Sequence, residues 1–240
     1  MSAITHKNQY QFLLWAREGV AAQALHTAMM DALQEYATGG DSISRLRLAV
    51  ADNDVAPAAA RRIESHAPLP DGLLSVTVAD QSELTWLDSL LAEHTARYAG
   101  YRVAVREPLD GQQQHPCKPG ERMFGLCQVA LLCRPAALKV SDWQSIWQDS
   151  HTQIAIETQS TFGYRQNRVL QTLNSAAPAI DAVVEEYFPL EAMTSDHAFY
   201  GTGGDDELLA TRMTRLLESC ARFIDFEHID VIPMSEYRIV

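Results

Sequence analysis

The sequence predicts an α+β fold: two tandem ferredoxin-like repeats, each β-α-β-β-α-β, packed sheet to sheet about a pseudo-twofold axis. Three observations predict it. The chain has 240 residues, 47% of them hydrophobic, enough to bury a sizeable core. Alternating and helical apolar patterns follow one another in the order β-α-β-β-α-β, and the order restarts after a linker. The halves also share residues: Glu93-x-x-Ala96-Arg97-Tyr98 corresponds to Glu218-x-x-Ala221-Arg222-Phe223. Each is followed by a strand, with Tyr101-Arg102-Val103 in one half and Tyr237-Arg238-Ile239 in the other. One such unit covers a single sheet face with helices. Two units on one chain bury the bare faces against each other, and the space between the sheets is the expected pocket.

The first repeat occupies residues 1–108. Gln9 to Arg17 reads as a strand and Glu18 to Tyr36 as a helix ended by Gly39-Gly40. Ser44 to Val50 alternates Leu46, Leu48 and Val50 with Arg45, Arg47 and Ala49, the pattern of a half-buried strand. A long connection follows, with a short helix from Pro57 to Ser65, because Pro is tolerated in a first helical turn. Leu73 to Val78 is a strand. Asp80-x-x-Glu83 opens a helix reaching about Tyr98, and Tyr101 to Arg106 is a strand. Residues 109–122 carry Gly, Pro and three consecutive Gln and read as the linker.

The second repeat spans 123–240. Phe124 to Cys133 is a strand, and Val140 to Thr161 is a helix entered through a capping box, Ser141-x-x-Gln144. Trp143, Trp147, His151 and Ile154 recur at spacings of four, four and three and so share one helical face. After a turn at Gly163, Tyr164 to Thr172 and Ile180 to Phe188 are strands. Leu190 to Tyr200 is a loop with a helical turn. Asp205 to Phe223 is a helix with acidic residues at its positive end, and Ile229 to Val240 is a strand bent at Pro233.

Composition excludes several function classes. The formal net charge is −12, from 19 basic and 31 acidic residues, so the surface repels nucleic-acid phosphates and anionic membranes. The apolar runs Phe12 to Ala16 and Val129 to Cys133 are far short of the roughly 20 residues of a membrane span. The N-terminus lacks a signal-peptide layout, which points to the cytoplasm. Cys117, Cys127, Cys133 and Cys220 have no metal or disulfide spacing and read as reduced thiols. Cys127 and Cys133 fall on one strand face, as small buried apolar residues.

Three motifs of the second half resemble the EthD family, which belongs to the dimeric α+β barrel superfamily. They are Trp147-Gln148-Asp149-Ser150-His151, Tyr164-x-Gln166-Asn167-x-Val169, and the run Ile180 to Phe188 followed by Leu190-Glu191-Ala192-Met193. Ala182 stands where the family often has Gly, and the first half lacks all three motifs. The resemblance implies a dimeric α+β barrel and little chemistry, since fold does not fix function.

The expected catalytic residues are His151 and Glu186. A histidine on an apolar helix face is a general acid/base, or else a structural histidine at the core edge. Glu186 is the odd residue on the apolar face of its strand, where burial would raise its pKa, while Asp181 and Glu185 lie on the other face. Trp147, Tyr164, Gln166, Asp181 and Tyr237 are the expected substrate-binding residues, with Tyr164 and Gln166 on the pocket side of their strand. Gly201-Thr202-Gly203-Gly204 precedes Asp205-Asp206-Glu207, whose charge excludes phosphate.

The expected ligand is a small apolar organic molecule, aromatic, cyclic or polyketide-like, handled by cofactor-free proton transfer or oxidation. No metal or other cofactor is expected. One alternative is a non-catalytic binding protein or an accessory to a degradative oxygenase. A minor one is a haem protein of the chlorite dismutase type with His151 as axial ligand. A homodimer is a further expectation, since twofold dimers are the commonest assembly.

Overall fold

The computed structural model describes residues 8–37, 43–175 and 177–240; Gly39-Gly40, expected to end the first helix, lies outside them. The first half holds β1 (Asn8–Trp15), α1 (Ala22–Ala37), β2 (Ile43–Val50), β3 (Gly72–Val78), α2 (Thr85–His94) and β4 (Arg97–Leu109). The second holds β5 (Leu126–Leu132), α3 (Val140–Gln144), a π-helical segment (Ser145–His151), α4 (Thr152–Thr158), β6 (Gly163–Thr172), β7 (Ala182–Phe188), α5 (Asp196–Phe199), α6 (Asp206–Cys220) and β8 (Asp230–Arg238).

Both halves have the ferredoxin-like strand order. In the first, β4 pairs with β1, β1 with β3 and β3 with β2; in the second, β6 pairs with β7, β7 with β5 and β5 with β8. The two sheets face each other and also join at both edges. β4 pairs with β6, matching Tyr101 to Thr172 and Leu109 to Tyr164, and β2 pairs with β8. The result is one closed eight-stranded antiparallel barrel of the dimeric α+β kind. Closure removes every open sheet edge, and with it the template for edge-to-edge aggregation.

Closure also fills the space between the sheets. Leu13, Leu73, Tyr101, Val129, Val183, Ile232 and Met234, drawn from both halves, are each at most 1% exposed and form one interior cluster. The helices of each half cover the outer face of its own sheet with a separate apolar cluster. Both faces of most strands are therefore buried. This corrects the half-buried reading of β2, where Arg47 is only 6% exposed.

Local differences from the expected elements have identifiable causes. α2 stops at His94 because Thr95 turns to an extended backbone (φ −121°, ψ 160°), with its amide and hydroxyl both donating to the Leu91 carbonyl, at 3.0 and 2.7 Å. Arg97 and Tyr98 then open β4 instead of ending the helix. The helix expected from Pro57 is a 3₁₀ turn over Asn53–Arg61, with Asp52 accepting from the Asp54 amide. α3 is not entered through a capping box: its N-cap is Lys139, and the Ser141 hydroxyl bonds Asp142. The loop after β7 contains two short turns, Leu190–Met193 and Asp196–Phe199. Gly163 opens β6 where a Cβ would lie 2.8 Å from the Tyr187 ring and 3.1 Å from Gly111, so only glycine permits that approach. Cys127 is buried inside the barrel, whereas Cys133 lies beyond the end of β5; all four thiols are free. No helix among the described residues is long and apolar enough to cross a membrane.

Candidate functional site

β6 and β7 each send one side chain set into the barrel and the other under the helices. Tyr164, Val184 and Phe188 pack in the helix-side cluster with Trp143, Trp147 and Phe223. Gln166 has the parity of Tyr164 and donates to the Thr152 hydroxyl of α4 at 2.8 Å. The expectation that Tyr164 and Gln166 face the space between the sheets is therefore corrected: they face the opposite way. Glu186 lies on this same side, paired across the strands with Tyr164 and Gln128.

The helix above is shaped by its π segment. The Thr152 amide bonds the Trp147 carbonyl five residues back, and the Thr152 hydroxyl also donates to it at 3.1 Å. Wider turns delay the helical rotation. Trp143, Trp147 and His151 stay buried as their spacing predicts, but the next buried positions are Thr152 and Ala155, not Ile154. The extra residue thus turns the Thr152 hydroxyl toward Gln166.

Between this helix and β6–β7, five of the sequence-predicted residues come together: Trp147, His151, Tyr164, Gln166 and Glu186. The Trp147 indole donates to the Tyr164 hydroxyl at 3.3 Å. The His151 Nδ1 shares a 2.9 Å hydrogen bond with Ser219 Oγ of α6, and its ring lies 4.6 Å from that of Phe223. The Nε2 has no hydrogen bond among the described residues. Burial, with the nearby Arg222 charge, lowers the His151 pKa to about 4, so the ring is neutral at pH 7. Glu186 is half-buried and makes no hydrogen bond or ion pair among the described residues. Desolvation alone pushes its pKa up to about 7. Burial, and next the Glu186 carboxyl, push the Cys220 thiol of α6 up to about 12. An unpaired carboxyl poised near neutrality among aromatic rings is able to take or give a proton.

The other two predicted residues lie elsewhere. Asp181 precedes β7 and accepts from the Arg134 amide at 2.8 Å. Tyr237 lies on the outer face of β8, stacked on His26 at 4.1 Å and donating to Asp52 at 2.7 Å. Its proposed counterpart Tyr101 points into the barrel, so the two tyrosines are not in equivalent places.

Sequence reading missed the polar cluster inside the barrel. Glu185 takes Arg47 at 2.6 Å and Gln11 at 2.9 Å, both from the first half, and Asn167 at 3.0 Å. Arg165 reaches Glu236 at 3.0 Å and Glu107 at 2.6 Å, and the Tyr187 hydroxyl donates to Glu236 at 2.5 Å. Burial opposes the Glu185 charge, but Arg47 and Arg165 outweigh it and hold its pKa at about 2. These are paired charges, each carboxylate facing a guanidinium. The available signal was parity: Arg165, Asn167 and Glu185 all fall opposite the helix-side residues.

The layer does not fit a haem. Trp147 and Tyr164 are at most 1% exposed, and His151, 5% exposed, is held between Ser219 and Phe223. Among the described residues, no group of three or more His, Cys, Asp or Glu is placed to hold a metal ion.

No family model matches this chain, and no curated protein matches it. Solved structures do. An anthrone oxidase-like protein aligns over 99% of this chain and 95% of its own, with a TM-score of 0.53 at 7% identity. An inferred chlorite dismutase aligns over 97% and 95% at TM-score 0.49 and 12% identity. The chlorite dismutase of Candidatus Nitrospira defluvii in complex with imidazole aligns over 98% and 93% at TM-score 0.47 and 12% identity. At such identities the likeness concerns the fold, and the first of these places the chain's fold among the dimeric α+β barrels.

Proposed function

We propose that this protein is an EthD-like barrel that binds a small apolar cyclic or aromatic molecule between the second-half sheet and its helices and moves a proton on it. The reading rests on one observation above all: Glu186, without a partner among the described residues, is raised to about 7 and stands across the strands from Tyr164 of the Trp147 and Phe223 cluster. Glu186 is the general acid/base. His151 is too weakly basic for that role at neutral pH and offers Nε2 as a hydrogen-bonding group. Tyr164, the Trp147 indole and Gln166 orient a carbonyl or phenol. The apolar walls strengthen these polar contacts by excluding water.

An anthrone is the first substrate to try, because the similar solved structure is named for it and its ring carries acidic protons beside an aromatic carbonyl system. The expected result is turnover whose rate rises with pH through about 7, and its loss in Glu186→Gln. Turnover by Glu186→Gln equal to that of the unaltered protein would remove Glu186 from the mechanism. A second reading is a binding or oxygenase-accessory protein, in which the same residues hold a ligand without turning it over. That reading holds if an aromatic ligand quenches Trp147 fluorescence but is recovered unchanged.

A further inference from the structure

We propose that the barrel interior carries a binding site for one neutral molecule that both donates and accepts hydrogen bonds, a single water, held jointly by the two halves. The site is separate from the layer of His151 and Glu186. Its residues are Gln11, Arg47 and Ser75 of the first half and Asn167 of the second. They line a small cavity together with Gln9, Arg45 and Thr77.

Three buried polar atoms of this group have no hydrogen-bond partner among the described residues: Gln11 Oε1, Arg47 Nε and Asn167 Oδ1. Their residues are 1%, 6% and 0% exposed, so bulk solvent does not serve them. Leaving such an atom unpaired costs about 1–3 kcal/mol, and three lining one cavity call for a shared partner. The strand register brings them to one level. Ser75 of β3 stands opposite both Gln11 of β1 and Arg47 of β2. Asn167 reaches the group from the far wall through Glu185, which accepts from both Asn167 and Gln11.

Amide orientation is fixed by these bonds. Gln11 Nε2 donates to Glu185 at 2.9 Å and to Ser75 at 3.1 Å, while Asn167 Nδ2 donates to Glu185 at 3.0 Å and to the Val183 carbonyl at 2.9 Å. Both amide oxygens therefore remain as acceptors, and Arg47 Nε–H remains as a donor. A cation would meet Arg47. An anion would meet two amide oxygens with Glu185 behind them. A water donates one hydrogen to each oxygen and accepts from Arg47, leaving a lone pair for the Ser75 hydroxyl. The cavity volume, about 10 Å³, lies at the lower bound for holding one water.

The test is a high-resolution crystal structure of the whole chain, with one crystal soaked in sodium bromide, and a water-to-protein NOE spectrum in solution. The expected density is one peak at about 2.7–3.2 Å from Gln11 Oε1, Asn167 Oδ1 and Arg47 Nε, with no anomalous bromide signal. Asn167 side-chain amide protons should show a cross-peak to water. Gln11→Met, which fills the space without the acceptor, should lose both signals; if it fails to fold, the unaltered protein still decides. A cavity with no density, a bromide peak, or an Asn167 amide without a water cross-peak would overturn the proposal.

Discussion

Glu185 and Glu186 are chain neighbours on β7, and the two regions they enter treat a carboxylate in opposite ways. Inside the barrel, Glu185 meets Arg47, Arg165, Gln11 and Asn167 and stays ionised down to about pH 2. Under the helices, Glu186 meets no cation among the described residues and holds its proton up to about 7. The two sites differ first in their partners. A carboxylate given buried guanidiniums is a structural clasp; one denied them becomes an acid available at neutral pH.

The largest expected effect is on the interior. Glu185→Ala leaves Arg47 and Arg165 short of a counter-charge in a sealed space and should cost about 3–5 kcal/mol. Urea unfolding measures it, and a loss under about 1 kcal/mol would mean the interior is wet enough to screen the pair. Removing the whole pair by a matched apolar replacement would cost far less, because the desolvation penalty leaves with it.

The pH dependence sharpens the contrast, because the two residues give opposite signs. The folded pKa of Glu185 is depressed, so its stabilisation is present above its unfolded value and is lost as pH falls toward about 2. The folded pKa of Glu186 is raised from 4.5 to about 7, so its protonated form stabilises at low pH, and that contribution is lost as pH rises through about 7. Glu186→Gln should therefore match the unaltered protein near pH 4 and exceed it by about 2 kcal/mol at pH 8.5, somewhat less than the full shift because Glu186 is half-buried. Parallel stability curves for the two proteins would mean that Glu186 titrates like a solvated carboxylate.

Smaller effects probe the histidine. In an NMR titration, the His151 ring should stay neutral down to about pH 4. A midpoint above 6 would show that water reaches the layer. Ser219→Ala removes the Nδ1 partner and should cost about 1 kcal/mol, while freeing the ring to turn. An unchanged His151 ring resonance in that variant would mean that packing against Phe223 alone sets the ring.

Much of the architecture was legible because it depends on local pattern. Apolar alternation, turn residues and helical spacing place the eight strands of the barrel, and the repeated order gives the two halves. The single apolar face of Trp143, Trp147 and His151 is equally plain. What failed is instructive. The pattern after His151 assumes an unbroken α-helix, and the π segment shifts the buried face to Thr152 and Ala155. The likeness of Tyr101 and Tyr237 did not survive the register, since one faces inward and the other outward.

The sequence by itself determined the elements, their order and which side chains share a strand face. It separated Tyr164, Gln166 and Glu186 from Arg165, Asn167 and Glu185. Only the tertiary structure decided what each face meets. Alternation along a strand tells two sides apart, and in most sheets the polar side is the solvent side. Here β4 joins β6 and β2 joins β8, so the barrel closes and the polar side becomes an interior. Residues far apart in sequence, Gln11 and Arg47 on one side and Glu185 and Glu236 on the other, then become each other's solvent. That pairing is long-range and has no local signature, and Glu186, on the opposite face, has no such partner among the described residues.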